Sequence, residues 1–135
     1  MHPPPIVLAM VLADAIWTDP GTGKKTILGT FSALFGKEFP LHLGQLAVYV
    51  ALTDGTGKVP IMLKIVDVDE ERDPVRTHAF SAEFPDPIAI LEGTLHLGDV
   101  IFPEPGEYRI QLFAENELII ERRLVVIKMP PEDAK

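Results

Sequence analysis

The chain has no cysteine among its 135 residues. That removes disulfide staples, thiolate catalysis and Cys-ligated zinc or iron–sulfur sites together, and a core of this size manages without such staples. Serine is nearly as scarce. Ser32 and Ser81 are the only two, and neither lies in a G-x-S-x-G elbow or an S-x-x-K frame, so nucleophilic catalysis finds no local support. Positive charge is short as well: 12 Lys plus Arg stand against 20 Asp plus Glu, a net charge of -8. A field of that sign repels phosphate backbones and anionic lipid, which argues against nucleic acid and membranes as partners. Long apolar runs are missing too. The longest begins at Ile6 and ends at Trp17, well short of the ~20 residues that span a bilayer. Ala13-Asp14-Ala15 sits where a secretory leader would be cleaved, but Met1-His2-Pro3-Pro4-Pro5 ahead of it carries no Lys or Arg. The run is expected to be a buried first strand.

What is present is apolar side chain in short pieces. Hydrophobic residues make up 47% of the chain, enough for one domain with a real core. Thirteen Pro and ten Gly, spread along the whole length, would interrupt any long helix repeatedly. Between them lie eight predicted strands, 6–16, 25–34, 45–53, 59–68, 76–84, 88–97, 107–114 and 118–128, at the spacing of a β-sandwich or barrel. Turn signals fall at Asp19-Pro20-Gly21-Thr22-Gly23, Asp54-Gly55-Thr56-Gly57, Pro103-Glu104-Pro105-Gly106 and Glu115-Asn116-Glu117. In the strand that follows Gly106, Tyr108, Ile110 and Leu112 face one way and Glu107, Arg109 and Gln111 the other, so the first set is expected in the core. Residues 6–128 form the domain, with flexible ends at 1–5 and 129–135.

Three constellations invite a chemical reading. Gly21-Thr22-Gly23-Lys24-Lys25-Thr26 resembles the tail of a phosphate-binding loop, but Thr18 stands where the first Gly belongs, Lys25 where Ser or Thr belongs, and a strand follows in place of a helix. A hairpin turn is expected there. The acidic loop Asp67–Asp73 has carboxylates at calcium-like spacing, yet Arg72 occupies the Gly position of an EF-hand and His78 the final Glu position. A solvated charged loop is the larger expectation, with a calcium ion left open. The histidines never pair at ligand spacing, so a metal-dependent enzyme would have to be assembled from distant His42, His78, His96 and the Asp67–Asp73 loop. Trp17, Phe31, Phe35, Phe39 and Tyr49, at strand positions, are read as core. A small-ligand carrier would instead splay the sheets around Phe31, Phe35, Tyr49 and Phe80.

The odd residues are apolar ones on both alternating faces: Ile101, Phe102, Phe113, Leu118, Ile119 and Ile120. One of their faces is either covered or offered to a partner, and these six are the candidate interface.

Pro105-Gly106-Glu107-Tyr108-Arg109-Ile110-Gln111-Leu112, with the turn and residues 118–127 after it, resembles the last two strands of bacterial immunoglobulin-like sandwich domains, in which this Tyr marks a sheet corner. The front half, through Ala13-Asp14-Ala15, residues 22–31 and Phe39-Pro40, is similar to a family of small bacterial proteins with no assigned activity. The resemblance implies a bacterial, cytoplasmic, single-domain β protein and transfers no catalytic residue. The expectation is therefore an all-β, immunoglobulin-like sandwich of two antiparallel sheets that acts as a non-catalytic protein–protein interaction module, its partner a protein or a second copy. No cofactor, nucleic acid or membrane is expected.

Overall fold

Period-two alternation decides which side chains go inside, and the strands follow it. The computed structural model describes residues 3–69 and 72–130; among them it shows nine strands and no helix. These are β1 (Ile6–Thr18), β2 (Lys25–Thr30), β3 (Ala33–Gly36), β4 (Leu41–Thr53), β5 (Gly57–Asp67), β6 (Arg76–Phe84), β7 (Leu91–Phe102), β8 (Gly106–Ala114) and β9 (Glu117–Lys128). They build a four-stranded sheet in the order β2-β1-β4-β7 and a five-stranded sheet in the order β3-β9-β8-β5-β6. From β4 onward the chain crosses between sheets as immunoglobulin domains do: β4 and β7 neighbour each other in one sheet, and the β5–β6 and β8–β9 hairpins fill the other. The fold is an immunoglobulin-like β-sandwich.

The core is the pair of inward faces. Leu46, Val48, Val50 and Leu52 of β4 meet Ile61, Leu63 and Ile65 of β5 and Ile110 and Leu112 of β8, all nearly or wholly buried. Tyr108 is buried as expected, edge-on to Phe102 with ring centroids 5.0 Å apart, and its hydroxyl donates to the Glu104 carbonyl at 2.5 Å. That bond satisfies a polar atom which the corner would otherwise leave stranded in the core.

Two departures from the sequence reading have a local cause. The predicted strand 25–34 is two strands, because the chain changes sheet between adjacent residues. Phe31 N–H donates to Leu12 O in the four-stranded sheet, while the carbonyl of the next residue, Ser32, accepts from Val125 N–H in the other. β3 then pairs parallel to β9, so one pair of the five-stranded sheet is not antiparallel. Periodicity reports burial, not which sheet receives the hydrogen bonds, and the change was invisible to it.

The second departure moves Phe102. On β4 the inward set switches from odd residues (Leu41, Leu43) to even ones (Leu46 onward), and β7 switches from Leu95 and Leu97 to Val100 and Phe102. Both changes fall at one place, since Leu43 pairs with Val100 and Leu46 with Leu97; between them Gln45 faces Gly98 and Asp99 takes φ 51°. Because the two strands turn over together, the ladder keeps its register. The turnover puts Phe102 in the core at 0% exposure and leaves Ile101 outside at 42%.

The hairpin turns follow their chemistry. Glu115 (φ 50°) and Asn116 (φ 70°) make the two-residue β8–β9 turn. At Gly55, in the β4–β5 turn, an added Cβ would lie 2.3 Å from the Phe84 ring, which closes over that turn. The segment Asp19–Lys24 is a hairpin turn held by Asp19, whose carboxylate accepts from Thr22 N–H at 2.8 Å and Thr22 Oγ1 at 2.7 Å.

Phe102→Ala is expected to lower unfolding free energy by about 3–5 kcal/mol in urea titration, the range for emptying a buried Phe site. Ile101→Ala next to it should lower it by under ~1 kcal/mol. Equal losses would contradict the paired turnover.

Candidate interaction surface

The six residues predicted to face outward do not stay together. Phe102 is core, for the reason above. Ile101 lies opposite His42 at the end of the sandwich remote from the β8–β9 turn. The other four gather at the β8–β9 hairpin. Phe113 faces Leu118 across the pair and Met62 on its other side, with Lys64 Nζ 5.0 Å from its ring centroid. Ile119 is the extra residue where the register steps from Leu112↔Ile120 to Phe113↔Leu118. Ile119 and Ile120 are partly buried on the core, whereas Leu118 is 44% exposed.

Around Leu118 the fold collects more uncovered apolar residues than the sequence suggested. A groove of about 400 Å³ runs between Pro4, Pro5 and Ile6 and the start of β9, Glu117–Ile120. Ile6 pairs with Thr53 at the end of β4, and Thr53 Oγ1 donates to Ala89 O at 2.9 Å. The β6–β7 loop is thereby tied to the same end. Asp54 N–H also donates to Pro87 O at 3.0 Å, and Ile88 N–H to Asp86 Oδ1 at 3.0 Å. With its backbone held this way, the loop leaves Ile88 83% and Ile90 62% exposed. Ile6, Ile88, Ile90 and Leu118 thus crown one end of the sandwich, and Asp54, Asp86, Glu115 and Glu117, all exposed, stand among them.

Ile88 and Ile90 were missed because they were read into a strand that starts only at Leu91. The signal was there: Pro85-Asp86-Pro87 removes two amide donors directly ahead of them, which marks a loop.

The chemical constellations do not assemble. Among the described residues no group of three or more His, Asp or Glu is placed to hold a metal. His42 and His96 lie on separate rows of the four-stranded sheet, opposite Ile101 and Ala47, and His78 is on β6 of the other sheet. In the acidic loop, Glu70 and Glu71 lie outside the described residues; Arg72 sits 3.5 Å from Asp67 and 2.6 Å from Glu104, so the loop supplies its own cation.

The aromatic residues read as core divide. Phe31 and Phe39 pack against it in part, Tyr49 is half-buried, and Trp17 (54%) and Phe35 (61%) are exposed. Trp17 sits on the outward parity of the β1–β2 hairpin, opposite Thr26, and Phe35 lies opposite Ile127 at the sheet edge. Phe31, Phe35, Tyr49 and Phe80 consequently line no common pocket. The outer face of β8 and β9 is a charged lattice: Arg109 bridges Glu107 (2.8 Å) and Glu121 (3.2 Å), Gln111 donates to Glu121 (2.8 Å) and Arg123 to Glu107 (3.1 Å).

Both tyrosines are held protonated beyond their ordinary range. The Tyr49 hydroxyl donates to the Glu92 carboxylate, which together with burial and the carboxylate's charge pushes it up to about 12. Burial raises Tyr108, offset in part by the Glu104 amide at its hydroxyl oxygen.

The match of a protein family across residues 8–127 places the chain: it belongs to DUF6941, described as a family of unknown function. No curated protein matches it. A solved structure, that of an immunoglobulin-like protein from Pseudomonas aeruginosa, is similar over 93% of this chain and 98% of its own, at 13% identity and a TM-score of 0.38. No helix among the described residues is long and apolar enough to cross a membrane.

Alkaline titration followed by phenolate absorbance should show neither tyrosine ionising at the ordinary 10, with Tyr49 at about 12 and lowered by Glu92→Gln. Between these pH values the unfolded chain gives up a phenolic proton that the folded chain keeps, so this contribution to stability is complete below 10 and disappears as pH rises through 12. A Tyr49 that ionises at 10 in the wild type would show that the Glu92 bond is absent in solution.

Proposed function

We propose that this chain is a non-catalytic protein–protein interaction module of the bacterial cytoplasm, docking a partner protein on the end of the sandwich formed by the start of β1, the β6–β7 loop and the β8–β9 turn. The observation that carries the reading is Ile88 and Ile90, which stand out of a loop whose backbone is hydrogen-bonded to β4 and its turn. Large aliphatic side chains held in water on a fixed frame add nothing to the fold, and exposed apolar side chains gathered at one end of a domain mark binding sites.

The chemistry of the end defines what fits it. Carboxylates at Asp54, Asp86, Glu115 and Glu117 around an apolar centre, on a chain of net charge -8, call for a partner surface that is apolar with Lys or Arg at its rim. A second copy would bring the same carboxylates face to face, so a different protein is favoured over self-association. Compartment and bacterial origin rest on the family resemblance and on the lack of cysteine.

The experiment is affinity capture from the native host with wild-type protein and with an Ile88→Asp/Leu118→Asp double variant, alongside light scattering of both. Wild type should retain a basic-rimmed partner that the variant loses, with both chains folded by circular dichroism. Identical captured proteins would remove this surface. A wild-type dimer dispersed by the double variant would replace the foreign partner with a second copy.

A further inference from the structure

A second surface, which adjoins that end at the β8–β9 turn, lies along β6. A two-sheet protein has four strand edges, each with unpaired backbone donors and acceptors, and proteins blunt such edges with short strands, kinks, lysines or covering groups. Three of the four are blunted here. β3 has four residues. β2 begins at Lys25 and is kinked by Gly29 at φ 71°. β7 turns over at Asp99, and the Gly98 and Asp99 carbonyls are taken by the Arg76 guanidinium reaching across from the other sheet.

β6 has none of these devices. Its nine residues pair with β5 without a register shift, and none of them is Pro, Gly or Lys or has a positive φ. Ala79 and Ser81, on its outward parity, are small and exposed. A hollow lies against each of its faces at the same point. On the outer face, Met62, Ala79, Ser81 and Phe113 line one of about 410 Å³; on the inner side, between β6 and β7, Val50, Leu52, Phe80, Ala82 and Leu91 line one of about 270 Å³. A strand added beside β6 would send alternate side chains toward these two hollows, which is how edge-binding proteins join backbone affinity to side-chain selectivity. Among the described residues the charged groups that line either hollow are acidic and exposed, Glu115 at the outer one and Glu83 and Glu92 at the inner one, with Lys64 beside Phe113 and Lys58 opposite Glu83 the nearby cations.

We infer that β6 is a docking edge for an extended protein segment that alternates apolar and basic residues, adding to the five-stranded sheet as a sixth strand.

The probe is a fluorescein-labelled nine-residue peptide alternating Val and Lys, titrated with the full-length protein and followed by anisotropy. Saturable binding is expected, weakening as salt is raised. It should fall by about tenfold or more for Ala79→Lys and for Ser81→Lys, two exposed positions where an added charge leaves the core untouched. The same fall is expected for a peptide N-methylated at alternate residues, which cannot form the strand ladder, and for the Val/Glu peptide. Ile88→Asp/Leu118→Asp should bind the probe like wild type, so the β6 edge and the apolar end stand or fall separately. Failure of the Val/Lys peptide to saturate, equal binding of the N-methylated peptide, or loss only in the Ile88→Asp/Leu118→Asp variant would each overturn the assignment.

Discussion

A two-layer protein can hide one face of each sheet and no more, and every other feature of this molecule is arranged around that constraint. The inward faces take the aliphatic set centred on β4, β5 and β8, and no disulfide shares the task. The outward faces must then be made compatible with water residue by residue. On β8 and β9 this is done with an ion-pair lattice, whose members gain little from one another in solvent but keep the face wet. On β1 and β4 small side chains serve: Ala13 and Ala47 lie on the outward parity, face each other across the ladder and are fully buried.

Against that arrangement the exposed isoleucines at the loop end stand out. An apolar residue on an outward strand face can be an accident of packing, because half of any strand must point away from the core. Ile88 and Ile90 are not on a strand, and their loop is fixed by bonds from Asp54, Thr53 and Asp86. A loop so constrained has no need of aliphatic side chains for its own sake. That is why function is read there and not at Trp17 or Phe35.

Most of the fold was legible because alternation is a local property. Tyr108, Ile110 and Leu112 announced their burial, and the turns at Asp19, Asp54 and Glu115 announced themselves through residues suited to positive φ or to side-chain capping. What failed was whatever depended on two strands at once. Ile101 and Phe102 could be assigned faces only by knowing that β7 turns over in step with β4, and the register that enforces this joins residues more than fifty positions apart. The passage from β2 to β3 is of the same kind: nothing in Phe31-Ser32 states that successive residues bond to different sheets. The interface residues inherited the first of these errors, which is why Phe102 lies inside and Ile101 outside, far from the four that cluster at the hairpin.

The two flanks of the sandwich carry the last distinction. On one, the chain itself passes from sheet to sheet, and Arg122 spans the gap by donating to Met10 O and Ser32 Oγ. That flank is closed by covalent continuity and needs no further guard. On the other, β6 and β7 are the facing edge strands, joined through the loop at one end, and Arg76 crosses between them at the opposite end. Closing that flank fully would take one more strand or a row of charges on β6, and at the middle of its outward face the sequence supplies Ala79 and Ser81 instead. A flank left open beside an unblunted edge is a liability if nothing binds it and a binding groove if something does. The acidic residues that line it support the inferred groove, because they would resist another acidic copy of the chain and favour a cationic strand.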